Sequence, residues 1–233
     1  MKPQLQRVGT SQSPIVIVDE FTGSVESVAR LADSLAPFPP VRGNYYPGVR
    51  RMIEQPDKDA YSYVLETCER AAPFIGGGFD VQDFRLKEAS FSVVSTAPDR
   101  LHVVQRVPHF DSSEQNLLAL LHYLRVPKGT ATGTAFYRHR STGVERVTDE
   151  NRGRFLAASE LELSKFRPNS GYINGSNELF EEIGRVEAVP DRMIMYHGSL
   201  LHSGIIPLGM ALNPDPRKGR LTANLFVVGG AAA

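Results

Sequence analysis

Apolar and polar positions repeat with two different periods along this chain, and the change comes near residue 80. Pro14-Ile15-Val16-Ile17-Val18-Asp19-Glu20-Phe21 is a short run of the kind that forms a buried strand. Thr22-Gly23-Ser24 follows as a helix start, and Val25, Val28, Ala29, Ala32 and Leu35 recur at helical spacing until Pro37 closes the segment. A second helix is expected to begin near Pro56-Asp57 and to carry Tyr61, Val64, Leu65 and Cys68 on one face. It should end before Pro73, with Gly76-Gly77-Gly78 breaking the chain. Strand patterns then dominate, over 84–95, 101–107, 117–124, 134–140, 193–197, 201–206 and 221–228. Helical inserts are expected over 149–165 and 177–182. The pattern predicts one α+β, mainly β domain over 1–233. Its N-terminal strand and helices (14–75) lean on a distorted antiparallel double-sheet jelly-roll barrel (84–228).

Composition narrows the class without naming a function. The 233 residues include 26 basic and 26 acidic side chains with no long run of one sign, so the basic footprint of a nucleic-acid binder is missing. No run approaches the ~20 apolar residues that span a bilayer. Met1 to Ser13 is polar and lacks the apolar core of a signal peptide. The single cysteine, Cys68, has no internal partner and reads as a small core residue, which fits a reducing compartment. A cytoplasmic protein with no membrane partner is the expectation, and nothing in the pattern fixes an oligomeric state.

The chemistry concentrates in His109-Phe110-Asp111 and in His202 of Leu200-Leu201-His202-Ser203-Gly204. On a strand, residues i and i+2 share a face, so His109 and Asp111 can reach one ion while Phe110 faces away. Two imidazoles and one carboxylate form the facial ligand set of non-haem Fe(II), with coordination positions left open. His197 competes with His202 for the third position; the Leu-Leu-His-Ser-Gly context favours His202. Eighteen positions after His202, Arg220 opens the alternating segment Arg220-Leu221-Thr222-Ala223-Asn224-Leu225-Phe226. Arg220 and Thr222 share a face there and can clasp a carboxylate through two parallel guanidinium bonds and a hydroxyl. Arg217 is the competing cation, but it sits in a Pro-Asp-Pro-Arg-Lys-Gly turn.

The order His-x-Asp, His, Arg-x-Thr resembles the Fe(II)/2-oxoglutarate-dependent dioxygenase superfamily, nearest to its prolyl-hydroxylase-like branch. Leu117–Leu124 is similar to that family's apolar strand ending in tyrosine, Gly133–Tyr137 to its Gly-Gly-Thr-aromatic segment, and Arg192–Gly198 to the strand and turn before the second histidine. The Ile205–Lys218 interval is longer and richer in proline than the family's. The resemblance implies Fe(II) on His109, Asp111 and His202. It implies 2-oxoglutarate anchored by Arg220, with Thr222 and Tyr123 as further donors. Oxidative decarboxylation of the cosubstrate to succinate and CO2, with O2, would then drive hydroxylation of an unidentified small molecule, amino acid or peptide. Retention of Asp111 argues against halogenation, for which related enzymes replace the carboxylate by a small residue.

Two alternatives use the same residues. One is a metal-binding barrel for sensing or binding, without 2-oxoglutarate turnover. The other is a cupin-like dioxygenase that needs no cosubstrate and hence no deep carboxylate anchor. Arg138-His139-Arg140 is either a solvated strand end or the lining of a substrate mouth. Asn44-Tyr45-Tyr46-Pro47-Gly48 is a turn whose aromatics either wall a substrate site or pack on the barrel. His102, His122 and His139 have no evident partners in the sequence.

Overall fold

The computed structural model describes residues 3–41, 45–165 and 171–230. The first half contains β1 (Pro3–Val8), β2 (Ser13–Val18), α1 (Val25–Ser34), β3 (Gly48–Met52), α2 (Lys58–Phe79), β4 (Phe84–Val94) and β5 (Leu117–Arg125). The second contains β6 (Gly133–His139), α3 (Asp149–Lys165), β7 (Phe180–Glu187), β8 (Arg192–His197), β9 (His202–Ile205) and β10 (Arg220–Gly229). Seven strands form one antiparallel sheet in the order β1-β2-β8-β5-β10-β4-β3, and β7-β6-β9 form a second. The protein is thus mainly β, with two antiparallel sheets in the manner of a jelly roll.

Period-two alternation divides the large sheet into two faces. On one, Val16, Val18, Leu118, Leu120, Met193, Met195, Leu221, Ala223 and Leu225 pack with α1 and α2 in the largest core cluster. On the other, Ile15, Ile17, Ala119, Tyr123, Ile194 and Tyr196 meet Phe136 and Val186 of the small sheet. The far face of the small sheet buries Ala135, Tyr137 and Phe180 against Phe155 of α3. Helices therefore cover both outer faces, and the two sheets enclose the space between them.

The predicted α3 agrees residue for residue, but several other expectations are corrected. Helix α2 does not end before Pro73; it runs through Pro73 and the three glycines to Phe79, and Asp80 caps it in the left-handed conformation. Tertiary packing carries it past the proline. Ala71 and Ile75 are fully buried, and a Cβ on Gly78 would lie 2.4 Å from Val16 Cγ2, so only glycine lets the helix end settle on β2. Segment 177–182 is not a helix. Asn177 accepts the Leu179 and Phe180 amides through its side chain, and β7 starts at once because β6 has an edge to pair. Segment 101–107 is not a strand but holds the short 3-10 turn Val103–Gln105, with Val103 and Val104 roughly half exposed. The sequence pattern also missed two edge strands. β1 buries only Val8, and β3 carries two arginines. Gly48 opens β3 because a Cβ there would fall 2.1 Å from the Val93 carbonyl oxygen.

Two buried carboxylates tie distant segments together. Asp191 Oδ1 lies 3.0 Å from His122 Nε2, whose Nδ1 lies 2.9 Å from the Tyr63 hydroxyl; Thr22 and Gly23 also donate to Asp191. Glu145 accepts from Thr10, Ser11 and Arg138, which clips the β1–β2 turn onto the second sheet. Burial alone would raise both carboxyls, but these donors outweigh it and hold each at about 2. Such lowered groups contribute stability that is complete above the unfolded pKa and is lost as pH falls through the folded one. Thermal melts should therefore show Asp191→Asn costing about 2 kcal/mol near pH 6 and about half of that near pH 3, the remainder disappearing only below about pH 2. An equal cost at both pH values would contradict the assignment.

Candidate metal centre

β10 brings the fold to the chemistry. While its odd residues face the helices, Arg220, Thr222, Asn224 and Phe226 line a cavity of about 600 Å3 between the sheets. Arg50, Tyr196, Thr134, His202, His109 and Asp111 line the same cavity from β3, β8, β6, β9 and the segment before β5. The β5–β10 register shifts between Leu221 and Thr222, an irregularity of the kind often found beside active sites.

His109-Phe110-Asp111 is not on a strand, contrary to expectation. The chain meets β9 at one residue pair, where His109 and His202 exchange backbone bonds of 2.9 and 2.8 Å, and then leaves it. The Asp111 amide next donates to the Gly198 carbonyl at 2.7 Å. These anchors keep the i, i+2 relation without a strand. Phe110 packs edge-on against Phe155 of α3, with ring centres 6.1 Å apart.

His109, Asp111 and His202 are brought together. One donor atom from each lies within 4.8 Å of the other two. His202 Nε2 is 3.6 Å from Asp111 Oδ2, and His109 Nε2 is 4.0 Å from Asp111 Oδ1. Both gaps exceed hydrogen-bond length. His202 Nδ1 is 2.8 Å from the Leu200 carbonyl oxygen. That oxygen can only accept, so Nδ1 carries a proton and Nε2 is the nitrogen turned to the cluster, the one a metal would use. The His109 side chain is half exposed where it faces the cavity; desolvation on that side, then the nearby His202 and Arg50, shift its imidazole below the ordinary pKa. Two imidazoles and one carboxylate whose donor atoms face each other unbonded fit a divalent first-row ion. His197 is not part of this group. Its ring stands against Phe79 at 5.2 Å, and burial lowers its pKa to about 4.

Arg220 is 6% exposed. Its Nε donates to Thr132 Oγ1 at 2.9 Å and one terminal nitrogen to the Gly133 carbonyl at 3.0 Å, while the guanidinium lies 5.4 Å from the Tyr123 ring centre. Among the described residues no carboxylate pairs with it. Thr222 accepts from Asn224 Nδ2 at 3.2 Å. Tyr123 sits behind the cavity wall, its hydroxyl 2.7 Å from Thr134 Oγ1. Arg217 is at the surface, against Asp215 and the Asp33 carbonyl. Arg138-His139-Arg140 does not reach the cavity. Arg138 pairs with Glu145 and Glu181, and buried His139 with Glu162. Of the predicted aromatic turn, Tyr45, Tyr46 and Pro47 do line the cavity; Asn44 falls outside the described residues. The sequence reading assigned no role to Tyr196 or Arg50. Tyr196 is 4% exposed with its ring 4.8 Å from that of His202, and the alternation of β8 would have placed it.

Comparison with solved structures shows that this is the fold of the Fe(II)/2-oxoglutarate-dependent oxygenases. The non-haem alpha-ketoglutarate-dependent epimerase SnoN from nogalamycin biosynthesis aligns with a TM-score of 0.55 at 14% identity, covering 94% of this chain and 79% of SnoN. HygX from Streptomyces hygroscopicus, with nickel, 2-oxoglutarate and hygromycin B bound, aligns at 0.55 and 10% identity over 95% and 85% of the two chains. A Pseudomonas putida prolyl-4-hydroxylase aligns at 0.49 and 13% identity over 96% and 95%. The chain itself belongs to the family described as Family of unknown function (DUF6445), whose model matches residues 1–227. No curated protein matches it by sequence. If the three donors act as one site, titration with Mn(II) should saturate at one ion per chain. Asp111→Asn and His202→Ala should each weaken binding at least ~100-fold, while His197→Ala leaves it within about two-fold. Equal losses in His197→Ala would refute the grouping.

Proposed function

We propose that this protein is an Fe(II)- and 2-oxoglutarate-dependent oxygenase that hydroxylates a small-molecule, amino-acid or peptide substrate. The observation that carries the reading is the pairing, in one cavity, of a two-histidine, one-carboxylate cluster with a buried guanidinium that has no counter-ion among the described residues. A buried unpaired cation costs several kcal/mol. The distal carboxylate of 2-oxoglutarate is the anion that would meet it, while the keto-acid end reaches the cluster.

In this reading His109, Asp111 and His202 hold the iron, and Arg220 and Thr222 hold the far end of the cosubstrate. Tyr123 supports the guanidinium from behind through its ring, while its hydroxyl bonds to Thr134, in place of the direct donor role expected from the sequence. Iron with 2-oxoglutarate, when bound, supplies O2 activation and the oxidation of a substrate C–H bond. The chain's own residues orient and shield. Leu200 fixes the His202 tautomer, and Phe226, Leu121 and Tyr196 restrict water around the cosubstrate. SnoN and HygX were crystallised with alpha-ketoglutarate or 2-oxoglutarate together with a natural product, which supports an open mouth that admits a bulky substrate.

A metal-binding role without turnover, and a dioxygenase without cosubstrate, both leave Arg220 unexplained. Anaerobic titration of the Fe(II)-loaded protein with 2-oxoglutarate should give a visible charge-transfer band. That band should vanish in His109→Ala and require at least ~30-fold more cosubstrate in Arg220→Ala, about 2 kcal/mol of lost charge pairing. Arg217→Ala should match the unsubstituted protein. A band that forms equally well in Arg220→Ala would sink the anchor.

A further inference from the structure

The cavity holds a second cation that the proposed cosubstrate does not use. Arg50 of β3 stands opposite Ser92 of β4, which stands opposite Thr222 of β10, so the three share one row on the cavity face of the sheet. Two inter-strand steps place the Arg50 backbone about 10 Å from that of Thr222. Its guanidinium is fixed in two ways. Nε donates to Ser92 Oγ at 3.1 Å, and the plane lies over the Tyr46 ring at 4.7 Å. The terminal nitrogens have no hydrogen-bonded partner among the described residues. The nearest carboxylate, Glu88, is 4.0 Å from Nη1, beyond hydrogen-bond length, and is itself 41% exposed. Arg50 is 25% exposed, and that surface opens on the cavity that His109 and Asp111 also line. A guanidinium pre-set by an Nε bond and a stacked ring, with its fork unsatisfied, is arranged for two-point recognition of a planar or tetrahedral oxyanion.

Building on the oxygenase reading, we infer that Arg50 is a substrate-specificity residue, and that the substrate carries a carboxylate or phosphate bound by its fork beside the metal cluster. Tyr46 and Tyr172 offer aromatic walls next to that fork. Tyr172 is held by a 2.7 Å bond from its hydroxyl to the Thr96 carbonyl. The substrate is thus an anionic group on an apolar body, and the site separates two anions. Arg220 takes the cosubstrate at depth, and Arg50 takes the substrate nearer the mouth.

Calorimetry on the protein loaded with Mn(II) and 2-oxoglutarate tests this with three matched probes: N-acetylphenylalanine, phenyl phosphate and the neutral N-acetylphenylalaninamide. At least one anionic probe should bind at least ~10-fold more tightly than the amide, and which one binds identifies carboxylate or phosphate. Arg50→Gln should remove that preference while 2-oxoglutarate affinity stays within about two-fold, and Arg50→Lys should restore part of it without the two-point geometry. A melting temperature for each variant separates lost recognition from lost folding, and Arg50→Lys carries the test if Arg50→Gln does not fold. The inference is overturned if both anions bind no better than the amide, or if Arg50→Gln keeps the preference. It is also overturned if Arg50→Gln loses 2-oxoglutarate instead, since Arg50 would then belong to the cosubstrate site. Should the unsubstituted protein bind neither Mn(II) nor 2-oxoglutarate, the oxygenase reading itself falls and takes this inference with it.

Discussion

The two-sided pleat of β10 is the constraint on which the rest of this structure depends. Because the strand is hydrogen-bonded on both edges, to β4 and to β5, it cannot twist to relieve an unfavourable side chain. Its odd positions, Leu221 to Val227, close the core against the helices. Its even positions, Arg220 to Phe226, have only the cavity to face. A slip of one residue would place a guanidinium in the hydrophobic core and leucines in the cavity. The core therefore enforces the direction of Arg220, and burying the leucines is what keeps a charge in a place where no carboxylate among the described residues pairs with it.

The same logic extends to the metal cluster. His202 is positioned by β9, whose pairing with β6 is short, and by one exchange of backbone bonds with His109. Asp111 is held by the Gly198 carbonyl, in the turn between β8 and β9. His109, Asp111 and His202 thus come from segments that are each fixed by backbone bonding, so the cluster does not rely on flexible side chains finding each other. Tyr196 packs beside His202, and the Tyr123 ring lies beneath the Arg220 guanidinium.

Much of this was legible in the alternation. Strands β4, β5, β6, β8 and β10 and helix α3 follow from residue pattern, and His-x-Asp, a distant histidine and Arg-x-Thr named the candidates that the fold gathers around one cavity. Where the reading failed, a partner absent from the local sequence decided the outcome. α2 continues through Pro73 because Ala71 and Ile75 are buried and Gly78 fits against Val16. Segment 177–182 became the start of a strand because β6 offered an edge. β1 and β3 look too polar for strands because each is an edge that buries little.

By itself, the sequence determined the periodicities, the breaks between them and which residue types were available for a site, since these are properties of neighbouring residues. It did not determine that Arg220 rather than Arg217 would face the cavity, that His202 rather than His197 would join Asp111, or that Arg50 would lie in the same row as Thr222. Those outcomes depend on registers between strands that are far apart in the chain. The tertiary structure decided them, because only the packed sheets establish which residues share a face and which carbonyl is near enough to fix a tautomer.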